Sequence, residues 1–167
     1  LQHLSAYHLA RFPKLLTIGL TGSNGKTIVK ELLYQLLAPS RAVVRSPRSY
    51  NSQIGLPLSL LSVTEGDELG IFEVGISQRG EMHRLAEVFS PRIGVFTTLG
   101  SAHQEGFCSL EEKLEEKLQL FAQSEVLCYP YDELLVREAV RRHYGARTLI
   151  SWSTQDEGAS LFVRSIE

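Results

Sequence analysis

Between an apolar run and an amphipathic helix pattern, residues 19–27 read Gly-Leu-Thr-Gly-Ser-Asn-Gly-Lys-Thr. Leu15 to Leu20 is nearly all apolar, as a short strand buried on both faces would be. Ile28, Val29, Leu32, Leu33, Leu36 and Leu37 then recur at helical spacing, and Pro39 stops the helix. A glycine turn between a strand and a helix presents backbone N–H groups to a phosphate chain, at a helix end whose dipole favours anions. In such a loop a lysine neutralises the outer phosphates and the hydroxyl after it holds Mg²⁺. Thr21, Gly22, Ser23, Asn24, Gly25, Lys26 and Thr27 are therefore candidate nucleotide-binding residues, and the chain is expected to handle ATP or GTP. The spacing departs from the strict P-loop form, which has a glycine where this chain has Leu20. Gly25-Lys26-Thr27 alone is a weak signal; the order of strand, turn and helix supplies the specificity. The plain alternative is an ordinary strand-to-helix turn.

The same alternation runs to the end of the chain. Strands are expected over Leu15–Leu20, Ala42–Arg45, Leu69–Ile76, Ile93–Leu99, Val126–Tyr129 and Thr148–Trp152. Helices are expected over Gly25–Ala38, Ile54–Leu61, Gly80–Phe89, Leu110–Phe121 and Asp132–Tyr144. Repeated βα units whose strands are continuously apolar predict an α/β fold: a doubly wound, mostly parallel sheet with helices on both faces. Such sheets bind ligands beyond the carboxyl ends of their strands. Residues 1–14 read as a lead-in helix from a preceding domain or linker, and 15–167 as a partial domain cut short at its C-terminal end. Ala159–Ile166 alternates like a strand, with nothing after it expected to pair with it.

Composition bounds the function. A net charge of −2 argues against nucleic acid as a partner. Cys108 and Cys128 have no metal-binding spacing and read as free thiols of a reducing compartment. The sequence contains neither a membrane-span pattern nor a signal peptide, so a cytoplasmic protein is expected.

Three residues resist a purely local account. Glu73 interrupts the apolar run Ile71–Ile76, where a carboxylate needs a cation such as Mg²⁺ beside the phosphate loop, or else a watery strand end. His103 follows the strand Ile93–Leu99 closely and falls on the same rim as the loop, either as a site residue or as an ordinary surface histidine. His3, His8, His83 and His143 have no partners in their helical patterns. On a wheel of about 100° per residue, Leu110, Leu114, Leu118 and Phe121 form an apolar arc and Lys117 falls about 20° from Leu110. Lys113 lies some 40° further out, with Glu111, Glu112, Glu115 and Glu116 on the opposite side. A lysine so placed either snorkels to the rim or has its pKa lowered by desolvation; a neutral amine can take up CO₂ as a carbamate.

Taken in order, Thr21–Thr27, Glu73-Val74-Gly75, Gly80-Glu81-Met82, Ala102-His103 with Glu105-Gly106-Phe107, and the helix carrying Lys117 resemble the Mur ligases. Tyr50-Asn51-Ser52-Gln53-Ile54-Gly55-Leu56-Pro57 is similar to the Asn-rich stretch of the members that add D-alanyl-D-alanine to UDP-N-acetylmuramoyl-tripeptide. Ala6-Tyr7-His8 with Thr27-Ile28-Val29-Lys30-Glu31 resembles the form fused to an alanine racemase. The resemblance covers residues 1–130 well and the remainder loosely.

What it implies is the central ATP-binding domain of a three-domain, cell-wall-building ligase. Lys26 would contact the ATP phosphates, and Thr27 with Glu73 would hold one Mg²⁺ ion. His103 and a carbamoylated Lys117 would help hold a second, while Asn51 and Ser52 would touch substrate. The partners implied are UDP-MurNAc-peptide and D-Ala-D-Ala, met through flanking domains, so the segment alone is expected to be inactive. Three departures bear on substrate contacts: Thr98 stands where the family has asparagine, Ser52-Gln53 where it has Asn-Asn, and Ser77-Gln78 where it has Asn-His. Folylpolyglutamate synthases share a similar loop and are the competing enzyme reading; a non-catalytic nucleotide-binding module is the other.

Overall fold

The computed structural model describes residues 1–100 and 104–164. Helix α1 (Gln2–Ala10) leads into β1 (Leu16–Thr21), the phosphate-loop stretch and α2 (Lys26–Leu37). There follow β2 (Val43–Arg45), α3 (Gly55–Leu60), β3 (Leu69–Glu73), α4 (Glu81–Val88) and β4 (Ile93–Phe96). The second half holds α5 (Leu110–Leu118), β5 (Val126–Pro130), α6 (Leu134–Tyr144), β6 (Thr148–Ser153) and β7 (Leu161–Phe162). The strands form one sheet in the order β2-β3-β1-β4-β5-β6-β7, with each neighbouring pair parallel.

This order puts β1 between β3 and β4, so the loop leaving β1 emerges at the point where successive connections diverge to either side. Leu20 pairs with Glu73 on one flank, and Thr21 pairs with Phe96 on the other. Two predicted strands end early because their backbone groups find partners at this rim. After Glu73, the Val74 N–H still donates to Leu20, but the Gly75 N–H turns to the Asn51 carbonyl at 2.7 Å, so the strand stops short of Ile76. After Phe96, Thr97 donates to the Thr21 carbonyl, and the Thr98 carbonyl accepts from the Ser23 N–H at 2.7 Å; here too the strand stops short of Leu99.

The faces of the sheet are covered unequally. One core takes in Leu15, Phe72, Phe89, Phe96, Phe121 and Leu127 together with buried residues of α3, α4, α5 and α6. The other joins Ile18, Leu20, Leu69 and Ile71 to Val29, Leu33 and Leu37 of α2. Only half of the apolar pattern of α2 is therefore used inward, and Ile28, Leu32 and Leu36 are exposed. β1 and β3 are buried on both faces, whereas β4 alternates between buried and half-buried residues. Helix α1 packs on α3 and α4, with Ala6 and Leu9 against the first core. The expected unpaired strand at the C-terminal end does find a partner: β7 lies beside the last residues of β6, Trp152 against Leu161.

Helix α5 begins with a capping pattern. The Ser109 hydroxyl accepts from the Glu112 N–H at 3.1 Å, and the Glu112 carboxylate accepts from the Cys108 N–H at 2.7 Å. The helix ends at Leu118 and tightens into a short turn over Gln119–Phe121, so the expected helix to Phe121 is real in course but not in regular form.

Candidate active site

The loop from Gly22 to Gly25 is held from below by the segment that follows β4. The Thr97 hydroxyl donates to the Asn24 carbonyl at 2.6 Å. Ser23 exchanges hydrogen bonds with Gly100, its Oγ accepting from the Gly100 N–H at 2.9 Å and lying 3.0 Å from the Gly100 carbonyl. Gly22 has φ 143°, and a Cβ there would lie 2.1 Å from the Thr97 hydroxyl, so the position admits glycine alone. Gly25, at φ 79°, precedes α2 and has open space where a side chain would sit. Among the described residues, no side chain caps the N-terminus of α2. Its first N–H groups thus face a cleft of about 290 Å³ lined by Ser23–Ile28 and Glu73, the donor set a phosphate chain requires. The Thr21 hydroxyl is buried and lacks a partner among the described residues.

Lys26 bends back over the loop, its Nζ donating to the Gly22 carbonyl at 2.8 Å and to Ser23 at 3.3 Å. Burial lowers its pKa, and the negative charge of Glu73 works against that. Thr27 donates its hydroxyl to Glu73 at 2.8 Å. The other Glu73 oxygen accepts from the Asn51 amide at 2.6 Å, and the residue is 1% exposed. Lys30 completes this corner: fully buried, its Nζ donates to the Arg48 carbonyl and lies 3.8 Å from Glu73. The watery-strand-end alternative for Glu73 is thereby overturned.

The Thr27 hydroxyl and the Glu73 carboxylate are two adjacent hard oxygens at the cleft. No cluster of three or more His, Cys, Asp or Glu side chains suited to a metal occurs among the described residues. That donor set fits Mg²⁺, which takes most of its ligands from phosphate and water.

A second cleft of about 380 Å³ adjoins the first, lined among others by Lys26, Asn51, Ser52, Glu81 and Lys117. Lys117 is 2% exposed, which decides the sequence alternative against snorkelling. Its pKa is pushed down to about 7, first by desolvation and then by the charges of Lys26 and Lys113, with Glu81 opposing. Glu81 starts α4 and accepts from the Ser77 N–H at 2.6 Å and the Gln78 N–H at 2.9 Å. Burial would raise its pKa, but these donors outweigh burial and the net direction is down. The Ser52 hydroxyl accepts from Gly55 at the start of α3.

The wheel misplaced two neighbours of Lys117. Lys113 is fully buried, its Nζ on the Gly100 carbonyl, and Glu116 is buried with its carboxylate accepting from the Met82 N–H at 3.1 Å. Helix α5 packs against α4 and α6 and also meets the segment after β4, so its buried arc is wider than one apolar stripe. Lys30, Lys113 and Thr97 hold residues or backbone at the clefts, and Glu81 lines one of them; none was singled out as a site residue in the sequence. For Lys30 a signal existed, since it stands one helical turn after Lys26 and beside the inward Val29. His103 lies outside the described residues. A larger groove of about 600 Å³ lies across α4, α5 and α6, lined in part by His83, Glu87, Glu115 and His143, away from the phosphate loop.

The geometry is matched by likeness to known proteins. The family described as Mur ligase middle domain matches residues 20–167. A UDP-N-acetylmuramoyl-tripeptide–D-alanyl-D-alanine ligase of Treponema pallidum is 42% identical over 123 residues, 74% of this chain and 27% of that protein. The MurF ligase of Thermotoga maritima in complex with ADP has a TM-score of 0.83 at 31% identity, over 93% of this chain and 36% of that one. MurF from Acinetobacter baumannii shares the fold at a TM-score of 0.90, with 24% identity over 99% of this chain and 36% of that one. The chain thus spans between 27% and 36% of the length of these relatives.

Proposed function

The chain belongs to the Mur ligase family as its middle domain, and from that premise we propose that it is the ATP-binding part of a ligase joining D-Ala-D-Ala to UDP-MurNAc-tripeptide. The observation that carries the reading is the Thr27 hydroxyl 2.8 Å from the Glu73 carboxylate, directly after a phosphate loop ending in Lys26. Relatives bearing the ligase name support the choice of substrates.

In the proposed reaction the peptide carboxylate takes the γ-phosphoryl group of ATP, giving an acyl phosphate and ADP. The amine of D-Ala-D-Ala then attacks the activated carbonyl, loses its proton, and phosphate leaves. Backbone N–H groups of the loop and of the first turn of α2, other than that of Ser23, which Thr98 holds, would receive the phosphates in line. Lys26, freed from its loop carbonyls, follows the charge of the transferring group. Thr27 and Glu73 would hold one Mg²⁺ ion, with a second on His103 and Lys117; bound Mg²⁺ neutralises charge on the phosphoryl oxygens. Asn51 both holds Glu73 and lines the second cleft, where with Ser52 it would meet the substrate.

Lys117 would act as a carbamate. Its pKa of about 7 leaves a large neutral fraction at neutral pH. The Nζ lone pair can then form a bond to the carbon of CO₂ with release of one proton. The product is a carboxylate on a long arm at the second cleft.

The remaining parts of the proposal follow the family. In this reading residues 1–14 would lead in from a preceding domain or linker, 15–167 would form part of the central domain, and the segment alone would not ligate. A fusion to an alanine racemase rests on Ala6-Tyr7-His8 and residues 27–31. A cytoplasmic location agrees with the absence, among the described residues, of any helix long and apolar enough to cross a membrane.

The test is ADP release by the full polypeptide that carries this domain, with the two substrates added singly and together. Release that requires both, and is lost in Lys26→Ala, is expected. Release indifferent to both would overturn the ligase reading.

A further inference from the structure

We propose that Lys113 is a positioning residue, its ammonium joining the helix of Lys117 to the phosphate loop through the carbonyl of Gly100. This inference rests on the nucleotide-binding reading above.

The Gly100 carbonyl is approached from two elements. From the loop, the Ser23 hydroxyl lies 3.0 Å away and also accepts from the Gly100 N–H. From α5, the Lys113 Nζ donates to the same oxygen. The backbone N–H of Ser23 is meanwhile held by Thr98, two residues before Gly100. Ser23 therefore has one stiff support, and that support is fastened to α5 by a buried cation. Asn24 is packed against it as well, its amide 3.3 Å from where a Gly100 Cβ would stand.

Lys113 is a costly residue for this place. It is fully buried in the helix, one turn before Lys117, and Lys26 adds a like charge nearby. Packing alone would be served by methionine, which fills the same volume without a charge. Among the described residues, what the ammonium adds is a charge-assisted hydrogen bond to a carbonyl that the loop also uses. Phosphates settling on the loop N–H groups pull on Ser23, and this tie passes the displacement to α5. The amine of Lys117 is thereby registered against the outer phosphates across the boundary between the two clefts.

The test is a double-mutant cycle on ADP affinity, measured by titration calorimetry with the full polypeptide. The variants are Lys113→Met, Lys113→Arg, Ser23→Ala and the pair Ser23→Ala with Lys113→Met, each checked for folding by circular dichroism. Lys113→Met is expected to weaken ADP binding about tenfold, and Lys113→Arg to restore it to within about twofold. The pair is expected to bind about as weakly as the poorer single variant, because both changes act through one carbonyl. Should Lys113→Met not fold, Lys113→Gln, which keeps a donor but loses the charge, takes its place with the same expectation. Unchanged affinity in the Met or Gln variant, or losses that multiply in the pair, would overturn the tie while leaving the nucleotide reading intact. A wild-type protein that does not bind ADP would overturn both.

Discussion

At the β3 corner of the cleft the buried charge is a carboxylate, met on one oxygen by Thr27, on the other by Asn51, and flanked by Lys30. At the α5 corner the buried charges are the lysines 113 and 117, close enough to Lys26 and to each other to lower the pKa of Lys117. The first corner is electrically closed before any ligand arrives. The second sets Lys117 beside the like charges of Lys26 and Lys113, with Glu81 opposing among the described residues, so an anion arriving beside Lys117 is favoured. The two adjoining clefts thus meet a carboxylate already satisfied by neighbours on one side and a cluster of lysines on the other.

The largest effect expected on this contrast comes at the residue between the two corners. Lys26→Met should lower turnover of the full polypeptide by about a thousandfold or more, read by ADP release; a loss within tenfold would break the scheme. Next, the corners should respond to deletion with opposite sign. Glu73→Ala takes the acceptor from Thr27 and Asn51 and leaves Lys30 to Glu31, 3.3 Å away, and should cost about 2 kcal/mol in urea unfolding. Lys117→Met removes a desolvated cation and should be neutral or stabilising, by about 1 kcal/mol at pH 7. Destabilisation of similar size in both variants would erase the distinction.

The pH dependence sharpens it further. The fold disfavours the charged form of Lys117, so between about pH 7 and the ordinary lysine value of 10.5 the unfolded chain binds more protons than the folded one. Stability should therefore rise with pH across that window and level off below about pH 7, where both states carry the proton. Lys117→Met should flatten the slope, measured as the urea midpoint at several pH values; an unaltered slope would place the titration elsewhere. The smallest effect concerns neither corner. Changing Ile28, Leu32 or Leu36 to Gln on the outer side of α2 should move the stability of this chain by no more than about 0.5 kcal/mol, since all three are exposed.

Much of the balanced corner was legible in advance, because its signals are local. Glycines between an apolar run and a helix, followed by Lys26-Thr27, announce a phosphate loop, and a carboxylate within an apolar strand announces a cation. Local periodicity also placed Lys117 near the inner face of its helix. It failed for Lys113 and Glu116, which are buried because α5 is enclosed on more than one side, a fact no single wheel contains. Strand ends were overextended for a related reason. Ile76 and Leu99 are as apolar as the strands before them, yet the backbone between leaves the sheet to bind Asn51 and the phosphate loop.

The sequence by itself determined the alternation of strands and helices, the phosphate loop and its lysine, because these depend on backbone conformation and on spacings of a few residues. The tertiary structure alone decided which α2 leucines face inward, that Asn51 rather than water meets Glu73, and that Lys113 reaches the carbonyl supporting Ser23. Those outcomes depend on groups far apart in the chain being buried together. The cost of leaving a buried donor or charge unmet then selects one arrangement among many that local preference allows.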